Sequence, residues 1–287
     1  MPTNPSPARP GAPEEVTLSR IAASVRRQRG LDLVRYKAGF LRRRIGVRQR
    51  ALGLPSLADY ADALRRDPAE LDRLLRSLTI NVSEFFRNPT LFRLLQRRVL
   101  PSLLEEAAGQ ARPLTAWSAG CAGGEELYSL AIVLAEMGTP PAAASLLGTD
   151  IDREAVAAAR EGTFEDGRMR ELPAALRARY FEPGPRPRTR RIRTQGLPAV
   201  RFRSHDLLAA PLRRGLDLIL CRNVLIYFEL ELQDAILDRI AGALRPGGVL
   251  VLGRVERLAG GLRHLFEPLD LRERVYRKTC TGASHAG

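Results

Sequence analysis

Five short segments carry residue types whose spacing suits chemistry. Gly120-Cys121-Ala122-Gly123-Gly124-Glu125-Glu126 joins glycines, which let backbone approach a ligand closely, to what reads as a helix N-terminus. It is not the G-x-G-x-x-G fingerprint, and two acids where a pyrophosphate would sit argue against a dinucleotide. Asp150, at a strand end ahead of Ile151-Asp152, is placed to accept hydrogen bonds from both hydroxyls of a ribose, while Asp152 could cap the next helix. Asp206, in His205-Asp206-Leu207, is either an acceptor for an adenine amino group or a turn acid. Cys221-Arg222-Asn223-Val224-Leu225-Ile226-Tyr227-Phe228 puts Asn223 at a strand tip with the Tyr227 hydroxyl nearby, and Phe228 needs no role beyond an aromatic cluster. Thr79 to Pro89 would bring the Arg87 guanidinium to the mouth of a sheet. Together the five segments suggest a nucleoside-type cofactor and an arginine that handles an anion. They do not identify the reaction.

The elements that must hold these residues follow from periodicity. Val16 to Leu78 reads as helical throughout, with Ser56 and Asp59, then Asp67-Pro68-Ala69-Glu70, marking helix starts. Val34, Leu41, Ile45 and Leu52 fall on one stripe at helical spacing, which predicts a packed face; Arg43 and Arg50 point away from it, and Lys37, Arg44 and Arg48 run along a flank. Such a surface is a solvated face or a dock for an acidic partner. Asn88-Pro89 opens a helix to about Ala108, after which strands alternate with helices. Strands are expected at Leu114 to Ala119, Ser145 to Thr149, Leu216 to Cys221 and Val249 to Gly253, and helices at Glu125 to Met137, Arg153 to Glu161 and Leu230 to Leu244. The alternation predicts a doubly wound α/β domain with a mainly parallel sheet. Between Gly162 and Val200 it is interrupted by a Pro- and Arg-rich insertion, including Arg188 to Arg193, which needs its own structure or function. Arg201 to His205 returns the chain to the sheet.

The 287 residues include 46 Lys+Arg against 32 Asp+Glu, a formal charge of +14, and 45% are hydrophobic, so the chain can bury a core. Lys37 and Lys278 are the only lysines; the arginines favour carboxylate or phosphate partners, or reflect composition bias. Cys121, Cys221 and Cys280 are widely spaced, which argues against a disulfide framework or a Cys-rich zinc site, and no metal is expected. No apolar window is long enough to span a bilayer and no secretory leader is visible, so a cytoplasmic protein is expected.

With these residues in place, the sequence resembles the chemotaxis receptor glutamate O-methyltransferases, the CheR family, which use S-adenosylmethionine. The resemblance covers about residues 17 to 278. It rests on Asn81-Val82-Ser83-Glu84-Phe85-Phe86-Arg87, Trp117-Ser118-Ala119-Gly120-Cys121, Gly124-Glu125-Glu126-Leu127-Tyr128-Ser129, Asp150-Ile151-Asp152 and the segment Cys221 to Phe228. It implies a Rossmann-like class I methyltransferase domain (111–279) carrying a small inserted β-subdomain (162–199). Before it come a flexible leader (1–14), an all-helical N-terminal domain (15–78) and a linker with a connecting helix (79–110); a tail (280–287) follows.

The family's cofactor contacts would fall on Asn81, Ser83, Arg87, Glu126, Asp150, Asp206, Leu207, Asn223 and Val224, and its methyl-transfer centre on Arg87 and Tyr227. The implied reaction yields a glutamate γ-methyl ester and S-adenosylhomocysteine, with the cytoplasmic helices of a methyl-accepting receptor as partner and the enzyme a monomer. The resemblance assigns the helical domain to the receptor, making Arg43, Arg44, Arg48 and Arg50 the expected substrate-binding residues. Departures occur at Ala122-Gly123, Leu127 and Asp206, and at Gly253-Arg254-Val255-Glu256-Arg257, where the family shows Gly-His-Ser-Glu-Asn. A non-catalytic receptor-binding adaptor is a rival that draws on this last segment. A nucleic-acid methyltransferase is another, opposed by Asn223-Val224-Leu225-Ile226 where base methylases carry Asn/Asp-Pro-Pro-Tyr/Phe.

Overall fold

Acids in the first turn and arginines in the last match the dipole of the first helix, α1 (Ala12–Arg29): Glu14 and Glu15 stand at one end, Arg26, Arg27 and Arg29 at the other. This computed structural model describes residues 12–29, 32–78 and 83–279. The helix thus begins inside the stretch 1–14 expected to be a leader, of which 1–11 lie outside the described residues. A 3-10 turn at Leu33–Arg35 leads to α2 (Ala38–Ala51), α3 (Leu57–Arg66) and α4 (Pro68–Leu78). Two expected helix starts are present: Ser56 Oγ accepts the Asp59 N–H at 3.2 Å, and Asp67 Oδ1 accepts the Ala69 N–H at 2.8 Å. The chain divides into two compact units, one of residues 1–80 with 227–232 and one of residues 81–226 with 233–287.

The helical unit packs Ile21, Val25, Leu33, Ile45, Leu64, Leu71 and Leu74 around a buried carboxylate. Glu70 accepts four donors: Arg48 Nε at 2.9 Å and Nη2 at 2.7 Å, the Tyr60 hydroxyl at 2.9 Å and Arg73 Nε at 2.8 Å. Two expectations are corrected here. Val34 and Leu52 are 76% and 41% exposed, so the stripe keeps only Leu41 and Ile45. Val34 lies in the 3-10 turn before α2, where helical phase does not carry over, and Tyr36 takes the buried place, its backbone bridging Phe228. Arg48, expected on the receptor-facing flank, is held inward by Glu70 and so has a core role.

Burial alone would raise the Glu70 carboxyl, but hydrogen bonds from Arg48, Arg73 and Tyr60 outweigh it and hold the group below its ordinary range. Its contribution is therefore complete above the unfolded value of about 4.3 and is lost as pH falls through the lower folded value. Glu70→Gln should destabilise the helical unit by about 2 to 3 kcal/mol at pH 7. In urea unfolding the gap between wild type and variant should shrink below about pH 4; an equal gap at pH 7 and pH 3.5 would contradict this assignment.

The second unit opens with α5 (Pro89–Leu94), widens through a π-helical turn at Leu95–Val99, and continues as α6 (Leu100–Gly109). Pro101 lacks an N–H and its ring would meet the carbonyl of residue 97, which accounts for the wide turn. Then follow β1 (Leu114–Ala119), α7 (Glu125–Glu136), β2 (Ala144–Asp150), α8 (Arg153–Glu161), β3 (Thr163–Glu165), α9 (Ala174–Tyr180), β4 (Phe181–Pro183), β5 (Thr189–Ile192), β6 (Ala199–Ser204), β7 (Leu216–Cys221), α10 (Leu230–Ala243), β8 (Leu244–Leu252), β9 (Phe266–Asp270) and β10 (Val275–Lys278).

The large sheet runs β6-β2-β1-β7-β8-β10-β9. Its first five strands are parallel; at one edge β10 pairs antiparallel with β8, and β9 antiparallel with β10. Chain order reverses at β1, whose neighbours are β2 and β7, so the ligand crevice of such a sheet lies beyond the carboxyl ends of these strands. The insertion is a three-stranded antiparallel sheet, β3-β5-β4. Phe85 packs edge-on against Phe164 and Phe181 of that sheet, with centroids 4.8 and 5.1 Å away, which anchors the segment leading to Arg87. Cys121 and Cys221 are free and buried, and Cys280 is outside the described residues. No helix among the described residues is long and apolar enough to cross a membrane.

Candidate active site

Three strand ends and one incoming segment build the site. After β1 the chain turns at Gly120 with φ 78°, and the N–H groups of Gly120 and Cys121 donate to Thr149 O at 2.8 and 2.9 Å. A Cβ at Gly120 would stand 2.2 Å from Val224 Cγ2, so the loops after β1 and β7 touch where only glycine fits. Gly124, φ 92°, precedes α7 and packs against Phe202 and Ala159.

Asp150, at the end of β2, is buried and accepts the Ala122 N–H on Oδ2 at 2.9 Å and the Asp152 N–H on Oδ1 at 3.0 Å. Burial pushes its carboxyl up, and backbone donors from Asp152, Ala122 and Ile151 oppose that. The carboxylate keeps acceptor capacity beyond these donors. Helix capping falls to Asp152, which accepts the N–H groups of Glu154 and Ala155 and leaves Asp150 for other work. His205 N–H donates to Asp150 O at 2.9 Å, setting Asp206 and the half-buried Leu207 beside this strand end. Asp206 Oδ1 accepts the Leu208 N–H at 2.9 Å, the turn-acid geometry.

Asn223 follows β7 with φ 60°, a left-handed conformation that Asn tolerates. What holds it is Glu256. Its buried carboxylate accepts the N–H groups of Asn223 at 3.0 Å, Val224 at 2.8 Å, Leu225 at 2.8 Å and Gly253 at 2.6 Å. Glu256 is thus the residue of the divergent 253–257 segment on which the Asn223 turn depends, while Arg254 is taken up by Glu273 at 2.6 Å and Thr90 at 2.8 Å.

The Ser83–Arg87 segment is stapled at several points. Phe85 N–H donates to Arg168 O, Phe86 N–H to Ser129 Oγ, Arg168 Nη1 to Ser83 O and Arg222 Nη2 to Arg87 O, all at 2.9 to 3.0 Å. Ser83 and Arg87 border a cleft of about 280 Å³ lined also by Glu84, Glu165, Gly167, Arg168 and Arg170. Asn81 lies outside the described residues.

Glu126 faces inward, accepting Ser118 Oγ at 2.7 Å and Arg222 Nη1 at 2.9 Å. Its neighbour Glu125, 2% exposed, takes Arg168 Nη1 at 3.1 Å on Oε1, and its buried Oε2 has no hydrogen-bond partner among the described residues. Burial raises this carboxyl. Tyr227 belongs to the segment that packs with the helical unit, its ring 5.0 Å from Phe40. Arg43 and Arg50 are exposed, and the Arg44 guanidinium lies 5.8 Å from the centre of the Phe40 ring.

Reasoning from sequence had no role for Glu125, Arg168, Arg222 or Glu256. A polar Arg222 between a buried strand and an apolar run, and an acid three residues past Gly253, were the available signals.

The sheet order, the glycine turn after β1 and the buried acid ending β2 define a class I methyltransferase fold. The chain belongs to the CheR methyltransferase family: residues 81–275 match its model for the SAM-binding domain and residues 17–79 its model for the all-alpha domain. It is 37% identical to the chemotaxis protein methyltransferase of Listeria innocua serovar 6a, over 82% of this chain and 87% of that one. It is 35% identical to chemotaxis protein methyltransferase 2 of Pseudomonas aeruginosa, over 79% and 81%, and 32% identical to the chemotaxis protein methyltransferase of Escherichia coli K12, over 88% and 87%. The cofactor is S-adenosylmethionine.

The residues present fit that molecule: Asp150 has acceptor capacity for a ribose, and the buried Glu125 carboxylate beside Gly123, with one oxygen unpartnered among the described residues, suits an ammonium. Asp150→Ala should weaken binding of S-adenosylhomocysteine by about 1.5 to 3 kcal/mol, roughly ten- to hundredfold. Isothermal titration reads this, and a wild-type Kd would place the ribose elsewhere.

Proposed function

We propose that the protein methylates glutamate side chains of a methyl-accepting chemotaxis receptor. The reaction is attack of a carboxylate oxygen on the sulfonium methyl, giving a γ-methyl ester and S-adenosylhomocysteine. Bound S-adenosylmethionine supplies the electrophilic methyl group. In our reading Asp150 accepts the ribose hydroxyls, Asp206 and Leu207 border the adenine, and Asn223 and Val224 form the opposite wall. Ser83 and Arg87, with Asn81 by resemblance, close the methionyl end. Glu126 fixes Arg222 and keeps acceptor capacity as a cofactor contact, and Glu125, whose Oε2 has no partner among the described residues, is a further candidate for the cofactor's ammonium.

The observation that carries the reading is the buried strand-end acid Asp150, its carboxylate fixed by the N–H groups of Ala122 and Asp152 after the glycine turn of β1. A glutamate side chain is already ionised at pH 7, so no general base is required, and the protein's task is alignment, available up to about 7 to 11 kcal/mol. Arg87 would orient the incoming carboxylate without clamping it, and Tyr227 would hydrogen-bond nearby. We place the enzyme in the cytoplasm, as a monomer acting on the receptor's cytoplasmic helices. Arg43, Arg44 and Arg50 steer that acidic partner, and Arg48, spent on Glu70, is removed from the set.

Three experiments test this. With methyl-labelled S-adenosylmethionine and a receptor cytoplasmic fragment, label should enter the fragment and leave as methanol on mild alkali, the mark of an ester. Alkali-stable label, or none, would refute the assignment. Arg87→Ala should cut transfer at least a hundredfold with little change in Tm; a fully active variant removes Arg87 from the centre. Separately, Arg43→Ala/Arg44→Ala/Arg50→Ala should raise the receptor KM and flatten its salt dependence while S-adenosylhomocysteine binding stays unchanged. An unchanged KM would move the dock off α2.

A further inference from the structure

We propose that the loop after β8 and the turn between β9 and β10 form a docking rim for the acidic, amphipathic helix that carries the substrate glutamate. The proposal rests on the receptor-methylating reading above and adds the surface of the catalytic unit that grips the helix. Three large apolar side chains are exposed among the described residues of that unit: Leu212, Val255 and Leu271. Two of them, Val255 at 72% and Leu271 at 62% exposure, fall on these adjoining loops.

The loops are joined to each other. Arg254 Nη2 donates to Glu273 Oε1 at 2.6 Å, Arg274 Nε to Arg254 O at 3.4 Å, and Leu252 N–H to Arg274 O at 3.0 Å. Arg257 and Arg272, on the same two loops, are exposed. A lone exposed valine or leucine is ordinary, whereas two on adjoining fixed loops with guanidiniums beside them have the make-up of a recognition surface.

The rim is tied to both walls of the candidate site. Glu256, one residue past Val255, binds the N–H groups of Asn223 and Val224, and Arg254, one residue before it, donates to Thr90, three positions beyond Arg87. Val255 is therefore held between two anchored neighbours, and little ordering remains to be done on binding. The chemistry of the surface selects its occupant. Val255 and Leu271 call for an apolar ridge, and the guanidiniums beside them call for carboxylates, which together describe a helix with an apolar stripe next to glutamates. A second copy of this chain, at +14, would meet like charge.

The test compares wild type with Val255→Ser/Arg257→Ala/Leu271→Ser/Arg272→Ala, all surface positions outside the cofactor contacts, on a receptor cytoplasmic fragment. The receptor KM should rise at least tenfold while kcat at saturation, Tm and the Kd for S-adenosylhomocysteine stay at wild-type values. The double variant Arg257→Ala/Arg272→Ala should show a smaller rise and a weaker salt dependence. If the wild type methylates the fragment and the fourfold variant keeps its KM, the rim is not the dock. If the wild type transfers no methyl group to the fragment, the receptor reading itself fails. If sedimentation shows a wild-type dimer that the fourfold variant loses, the occupant is a second copy and the proposal is overturned.

Discussion

Everything at the strand ends depends on a contact that leaves no room for a side chain. The turn after β1 passes so close to Val224 that a Cβ at Gly120 would stand 2.2 Å from its methyl group. Two loops brought that near lose water from their backbone N–H groups, and buried N–H groups must find acceptors. On one side Asp150 accepts Ala122, and on the other Glu256 accepts Asn223, Val224, Leu225 and Gly253. Both carboxylates are buried, and burial raises both, with the backbone donors opposing. Main chain, not flexible cations, satisfies them, so the walls are fixed by the same bonds that make the close approach affordable.

The Ser83–Arg87 segment meets a different constraint. Phe86 and Asn88 both hold positive φ, 55° and 66°, which side-chain-bearing residues adopt only when their surroundings over-determine it. Ser129, Arg168 and Arg222 supply that determination from α7, the insertion and the end of β7. The inserted sheet therefore does structural work at the site through Arg168 and the Phe85 aromatic contacts, whatever else it binds.

The strands beneath the site were legible in the sequence because they are buried on both faces: Leu114–Ala119 and Leu216–Cys221 are apolar runs bounded by turn residues, and both lie where expected. Helix starts with side-chain caps, such as Ser56 and Asp67, were equally readable. The α2 stripe was not, because the periodicity was carried through Val34 and Leu52, which lie outside the helix. Arg48 looked like one more surface charge, since its partner Glu70 is 22 positions away and only the fold brings them together. Glu256 and Arg222 were hidden for the same reason. Their partners are mostly backbone groups, and which backbone groups lack an acceptor cannot be read from a string of side chains. The divergent 254–257 segment drew attention for its changed residues, while the unchanged acid within it does the holding.

The most direct test of this account is a crystal structure of the protein with S-adenosylhomocysteine. The account predicts both ribose hydroxyls donating to Asp150, the adenine between the Asp206–Leu207 and Asn223–Val224 turns, and Glu256 still holding its four N–H groups. A nucleoside bound away from the ends of β1, β2 and β7, or an Asp150 carboxylate without ribose contact, would contradict it.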